Sequence, residues 1–371
     1  MSTSQADVMQ RQAVTPPLRF TDQPLTPPLT DKKPFTEAPR VIALFRQIHS
    51  GSIVERDTRT EFQLVDGEYD QIESTLQQDD VLSGYVEEKI RYDYDGDTRK
   101  LVVRMPTEIH ERFIDAVEDD IRSQLKTIQN GSGKKSEFAQ KLHSARSTEI
   151  RFDASALSSR SKYEPDASFR HKGAKYPGVI VEVAYSQKKS CLGRLAENYI
   201  LDSDASVRAV VCVHIEYGNK ESRKATLSVW RPELVTTDDG FELRAVEEVA
   251  DEAFRDEEGK AVNGPGLRLR LSEFTYEGLA QKEMGKEDTF ICIPGSKLCE
   301  YLNAADSREE QVLGKHVFAK EVKKRKRSAT PPEEIGAGDE ARYAEDEERA
   351  AKRADYDIDY QDKSSTKSLS D

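Results

Sequence analysis

Cysteine is scarce in this 371-residue chain: Cys191, Cys212, Cys292 and Cys299 are the only four. They are too few and too scattered to staple a chain of this length or to build a CxxC zinc knuckle, so they read as reduced, mostly buried thiols. Apolar residues are also few, at 36% with a mean hydropathy of −0.74. No run approaches the ~18 apolar residues that a bilayer crossing requires, and residues 1–12 lack the apolar centre of a signal peptide. A soluble, intracellular protein with no membrane partner is expected. The stretch Gly131-Ser132-Gly133-Lys134-Lys135-Ser136 lacks the earlier glycine of a phosphate-binding loop and follows a helix instead of a strand, so it reads as a flexible linker. The acidic runs 251–258 and 345–348 have no calcium-loop spacing. No internal repeat is visible.

What is abundant is charge, 56 basic against 69 acidic residues, a net −13. That balance argues against coating nucleic acid by bulk charge and leaves room for a local basic cleft. Composition then divides the chain. Residues 1–40 are rich in Pro and Thr and poor in aliphatics, and read as a disordered arm. Residues 328–371 hold 13 acidic and 6 basic side chains without an apolar cluster. They read as a disordered acidic tail, with a frayed single helix near 339–353. Between them, 41–318 reads as one folded α/β domain, followed at 319–327 by a basic cluster.

Within the body, Ile90, Tyr92 and Tyr94, then Leu101 and Val103, alternate on either side of Asp95-Gly96, the pattern of a tight hairpin. Pro106-Thr107-Glu108 supplies a helix start, and Ile114, Val117, Ile121, Leu125 and Ile128 recur at helical spacing. Three strand-like runs follow, at 148–154, 164–170 and 179–186. A helix at 191–201 and a β-rich run at 207–217 come next, with 224–230 pairing to it across Gly218-Asn219. Residues 241–249 and 267–274 also look like strands.

Two acidic residues stand out on these strands. Glu182 sits in Val179-Ile180-Val181-Glu182-Val183-Ala184, a run otherwise fit for a buried strand, with Ile180, Glu182 and Ala184 sharing a face. An unpaired buried carboxylate there would cost several kcal/mol. A turn around 172–176 would bring Asp166, which follows Pro165, onto the neighbouring strand, where two carboxylates can share a divalent cation such as Mg²⁺. The plainer alternatives are a turn aspartate, an edge-strand Glu182 paired with Arg170 or Lys175, a core His110 and a surface Glu111.

Pro165-Asp166, then Glu182-Val183-Ala184 on an apolar strand, then Ser186, resembles the PD-(D/E)XK nuclease superfamily. It is closest to the branch of restriction-endonuclease-like proteins with Pro-Asp, Glu-Val and a following Ser. The helix, three strands, helix, strand order over 105–217 is similar to that superfamily's core. The resemblance implies a mixed sheet with flanking helices, extended here by extra N- and C-terminal strands. It implies phosphodiester hydrolysis of DNA with Mg²⁺ or Mn²⁺ held by Asp166, Glu182, the Val183 carbonyl and an acid from the first helix, for which Glu111 is nearest. The metal would lower the pKa of a bound water and neutralise charge on the scissile phosphate.

The pattern departs at its lysine, where Ala184 stands. Lys188 is the first substitute to position the attacking water, with Gln187, Lys189 and Arg194 as alternatives. The second reading is therefore a catalytically inactive module of the same fold that binds nucleic acid or a protein partner. Lys320 to Arg327 carry six basic residues and one acid. Such a cluster reads as a nuclear import signal or a nucleic-acid contact; the acidic tail that follows would oppose tight DNA binding, which favours an import receptor and a nuclear location over a cytoplasmic one.

Overall fold

A computed structural model describes residues 35–52, 59–153, 160–184, 189–216, 222–238, 240–312 and 337–356. The chain divides into two compact units, Met1–Leu313 and Gly314–Asp371. Among the described residues no helix is long and apolar enough to cross a membrane.

The first unit opens with α1 (Glu37–Ser50), β1 (Arg59–Gln63), α2 (Glu68–Gln77), α3 (Asp80–Lys89), β2 (Arg91–Asp95) and β3 (Lys100–Arg104). There follow α4 (Glu108–Gln129), α5 (Lys134–Ala139), β4 (Leu142–Ser144), β5 (Ile150–Phe152), β6 (Ser161–Tyr163), β7 (Ala167–His171) and β8 (Val179–Ala184). Next are α6 (Lys189–Asp202), β9 (Ala209–Ile215), β10 (Ala225–Thr237), β11 (Gly240–Arg255), β12 (Leu267–Arg270), a 3-10 turn (Leu271–Phe274), α7 (Glu277–Met284), β13 (Phe290–Ile293) and α8 (Gly295–Val312). The second unit contributes α9 (Ala337–Tyr356).

The protein is mixed α/β. A six-stranded sheet runs β11-β10-β9-β8-β7-β4, antiparallel except for the β8–β9 pair, which α6 joins as a crossover. Val179, Val181 and Val183 face a core shared with α4, α7 and α8. Ile180 and Ala184 face the opposite side, with Leu192, Ala196 and Tyr199 of α6. The alternation expected for this strand therefore holds, and Glu182 lies on the α6 side.

A second, five-stranded sheet runs β1-β3-β2-β6-β5. Tyr92, Tyr94, Leu101 and Val103 bury one of its faces against α1, α2 and α3. Its other face carries Arg59, Arg91, Asp93 and Arg104. The two strands pair as a hairpin, but it turns over the four residues 96–99, with positive φ at Arg99, rather than on Asp95-Gly96, which sets Asp95 opposite Lys100 and Arg91 opposite Arg104.

Several boundaries differ from the sequence reading. Helix α1 begins at Glu37 and buries Ala38, inside the segment read as the 1–40 arm. The run 148–154 is not a strand of the six-stranded sheet: its β5 portion pairs with β6 in the other sheet. Its place beside β7 is taken by β4, three residues long, too short for a period to register in sequence. The supposed linker at 131–136 leads into α5, where buried Ser136 donates to the Gln129 carbonyl at 2.7 Å. The single helix expected near 339–353, by contrast, is present as α9, whose described side chains are exposed.

Candidate functional site

The β7–β8 register sets Ala167 opposite Val181, and one further step sets Asp166 opposite Glu182. Both carboxylates are buried and point away from the valine core. The geometry that the spacing predicts is present: Asp166 Oδ1 and Glu182 Oε2 converge on one point. At that point stands the guanidinium of Arg104, whose Nη1 lies 3.2 Å from Asp166 and 3.3 Å from Glu182.

Arg104 reaches this position from the end of β3, in a rung where Arg59 of β1 and Arg91 of β2 are its direct partners. Three like charges across one face repel, and acidic partners must offset them. Asp93 lies on the same face, 3.0 Å from Arg104 Nε and 3.2 Å from Nη2. Nη2 also donates to the Glu164 carbonyl, while the Glu164 amide donates to Asp93 at 2.9 Å. Arg91 Nη1 is 3.7 Å from Asp166 and 3.1 Å from Glu111. Arg59 donates to Glu61 at 2.8 Å.

The remaining oxygens are occupied as well. Asp166 Oδ2 accepts from the Val183 amide at 2.8 Å and lies 3.0 Å from His110 Nε2. Glu182 Oε1 accepts from the Tyr199 hydroxyl at 2.8 Å. Burial opposes ionisation of Asp166, but His110, then Arg104 and the Val183 amide, outweigh it and hold the carboxyl below its usual range. Burial, then the charge of Asp166, pushes Glu182 well up, more than Arg104 offsets. This is the behaviour of two close carboxyl groups that do not both ionise. Burial also works against a charged His110, yet Asp166 and then Glu111 raise its pKa to about 9. Glu111, half-exposed, is held low by His110 and Arg91.

The set can be tested against a divalent cation. A metal bridging Asp166 and Glu182 would take the place of Arg104 Nη1, since the free lone pairs of both carboxylates aim there. Among the described residues no group of three or more His, Cys, Asp and Glu side chains is disposed to hold a metal ion. The residues as arranged fit an organic cation at that point, and they do not fit a metal beside it.

Of the site residues expected from sequence, Asp166, Glu182, the backbone of Val183 and Glu111 are gathered here, with Glu111 at the rim through Arg91 and His110. His110 is a charged partner of Asp166 rather than a filler of the core. Neither Arg170 nor Lys175 compensates Glu182: Arg170 donates to the Lys175 carbonyl, and Lys175 pairs with Asp153. Arg194 pairs with Asp95 at 3.4 Å. Ser186, Gln187, Lys188 and the cluster Lys320 to Arg327 lie outside the described residues.

Arg91, Asp93, Arg104 and Tyr199 escaped the sequence reading. A tight turn at Asp95-Gly96 would set Arg91 opposite Lys100. The four-residue turn at 96–99 shifts the register and sets Arg91 opposite Arg104, a like-charge pair that needs a carboxylate from elsewhere and that counting from the turn dipeptide does not find.

Beyond Arg104, a cleft of about 90 Å³ opens between the five-stranded sheet and α6, lined by Arg59, Lys100, Arg104 and Arg194 together with Asp93 and Asp95. Neither a protein-family model nor a curated protein matches this chain.

Proposed function

We propose that this protein carries the restriction-endonuclease-like fold of the PD-(D/E)XK superfamily in a form that binds nucleic acid without cutting it. One observation carries the reading: the guanidinium of Arg104 takes the point on which Asp166 and Glu182 converge. A fixed organic cation neutralises the carboxylates but offers no bound water to activate, and Ala184 supplies no lysine in its stead. Arg59, Lys100 and Arg194 line the cleft above, which suits a phosphate group of a nucleic acid backbone rather than an enclosed duplex. The cluster Lys320 to Arg327 assigns the protein to the nucleus through an import receptor.

The test is a pair of measurements on the full chain. Plasmid DNA incubated with Mg²⁺ or Mn²⁺ is expected to stay intact. Fluorescence anisotropy with a labelled DNA oligonucleotide is expected to show binding weakened by salt, with a log–log slope near −3 for three displaced counterions, falling by about 1 in Arg194→Ala. Metal-dependent cleavage abolished by Asp166→Ala and by Glu182→Ala would overturn the non-catalytic reading and restore the hydrolase. Absence of both cleavage and binding would leave a protein partner as the ligand of this fold.

A further inference from the structure

We infer that the outer edge of β11 is a self-recognition surface through which two copies of this chain pair about a two-fold axis at Leu243. This is independent of the proposed function. Strands β10 and β11 form a long hairpin whose distal residues are mostly exposed. Pro232, Leu234 and Thr236 stand opposite Ala245, Leu243 and Phe241. Opposed residues in an antiparallel ladder share a face, so these six make one largely apolar face. Phe241 is 78% exposed and Leu234 65% exposed. The other face carries Glu233 opposite Arg244 and Val235 opposite Glu242.

The sheet ends at β11, and the strand's further bridge among the described residues joins Arg255 to Ala261, far from the hairpin tip. Among the described residues no strand pairs with the outer edge of 241–245, whose N–H and C=O groups can accept a strand from another molecule.

The residues on that edge select a second copy. In an antiparallel pair a two-fold axis must pass through a residue and its own mate. With the axis at Leu243, Glu242 of each copy meets Arg244 of the other, and Phe241 meets Ala245. Two opposite-charge pairs form on one face, and the apolar residues of both hairpins continue one another on the other face. A shift of the axis by one residue brings Arg244 against Arg244, or Glu242 against Glu242, and is repelled. The in-chain pair of Glu242 and Arg244, at 2.7 Å and about half-exposed, is exchanged for its symmetric equivalents at no loss in the number of ion pairs.

Sedimentation equilibrium of the full chain tests this. The parent is expected to dimerise. Glu242→Arg and Arg244→Glu, each placing two like-charge pairs at the axis, are expected to weaken the dimer roughly tenfold or more. The doubly reversed Glu242→Arg/Arg244→Glu chain is expected to recover it. All four positions of charge are exposed, so circular dichroism should show the same fold throughout. A monomeric parent, a dimer indifferent to the single reversals, or a double reversal that fails to rescue would each overturn the inference.

Discussion

Arg104 holds Asp93, Asp166, Glu182 and the Glu164 carbonyl with one side chain, in a place almost without solvent. The reason it can is geometric: a planar fork of five donors serves several acceptors at once, whereas an ammonium serves a point. Arg104→Ala leaves buried carboxylates uncompensated and is expected to cost about 3–5 kcal/mol in urea unfolding. Arg104→Lys should recover only a minor part. The triple change Arg104→Met/Asp166→Asn/Glu182→Gln, which removes charge from both sides, should be far less harmful than Arg104→Ala. An Arg104→Ala protein as stable as the parent would show that the network is not buried in solution. His110 carries a pH signature of definite sign. Its pKa rises from 6.5 to about 9 on folding, so its contribution is complete below pH 6.5 and is lost as the pH climbs through 9. Linkage puts the loss on the order of 3 kcal/mol over that interval. Unfolding midpoints measured across it should fall in the parent and fall less in His110→Gln.

At the scale of elements, the hairpin β2–β3 and helix α4 were legible because each is specified locally. Alternation on both sides of a polar, glycine-containing turn at 96–99 defines the first. The second has Thr107, whose hydroxyl accepts from the His110 amide, and a stripe repeating every three or four residues. Strand β4 was not legible, since three residues carry no usable period, and β5 was legible as a strand but not in its sheet, which is chosen by distant partners. Gly178 shows how closely elements meet at the head of β8. Its amide donates to the Phe169 carbonyl, and its carbonyl accepts from the Arg208 and Ala209 amides. A methyl group there would fall inside van der Waals contact of the backbone at Phe274 and Thr275, which cannot yield as a side chain does. Gly178→Ala is therefore expected to destabilise by the upper end of the ~1–3 kcal/mol typical of overpacking. A change under half of that in thermal or urea unfolding would mean that the 3-10 turn moves freely.

At the scale of the molecule, the polar face of one sheet is buried against the polar edge of another. On the opposite face of the five-stranded sheet, across from Tyr94, Lys162 is likewise buried and paired, with Glu164 at 2.9 Å, Glu149 at 3.0 Å and the Tyr92 ring at 3.2 Å from its ammonium. Such a layer adds little net stability compared with apolar packing, but it fixes one arrangement of partners. The compact unit Met1–Leu313 ends before the basic cluster. Replacing Lys323, Lys324, Arg325, Lys326 and Arg327 with Ala should abolish nuclear accumulation of a fluorescent fusion and leave the thermal midpoint of the purified protein unchanged. Unaltered accumulation would remove the import assignment.

Local chemistry, written along the chain, determined the hairpin, the long helix, the faces of β8 and the meeting of Asp166 with Glu182. Period and turn residues suffice for these because each involves neighbours or adjacent strands. Only the tertiary structure decided what lies between the two acids. Arg104 stands 62 residues before Asp166 and 78 before Glu182 and belongs to a different sheet. No spacing rule connects them. The choice of a guanidinium for that place follows from how the two sheets bring a row of arginines down onto a pair of carboxylates, where burial makes an unpaired charge of either sign too costly to keep.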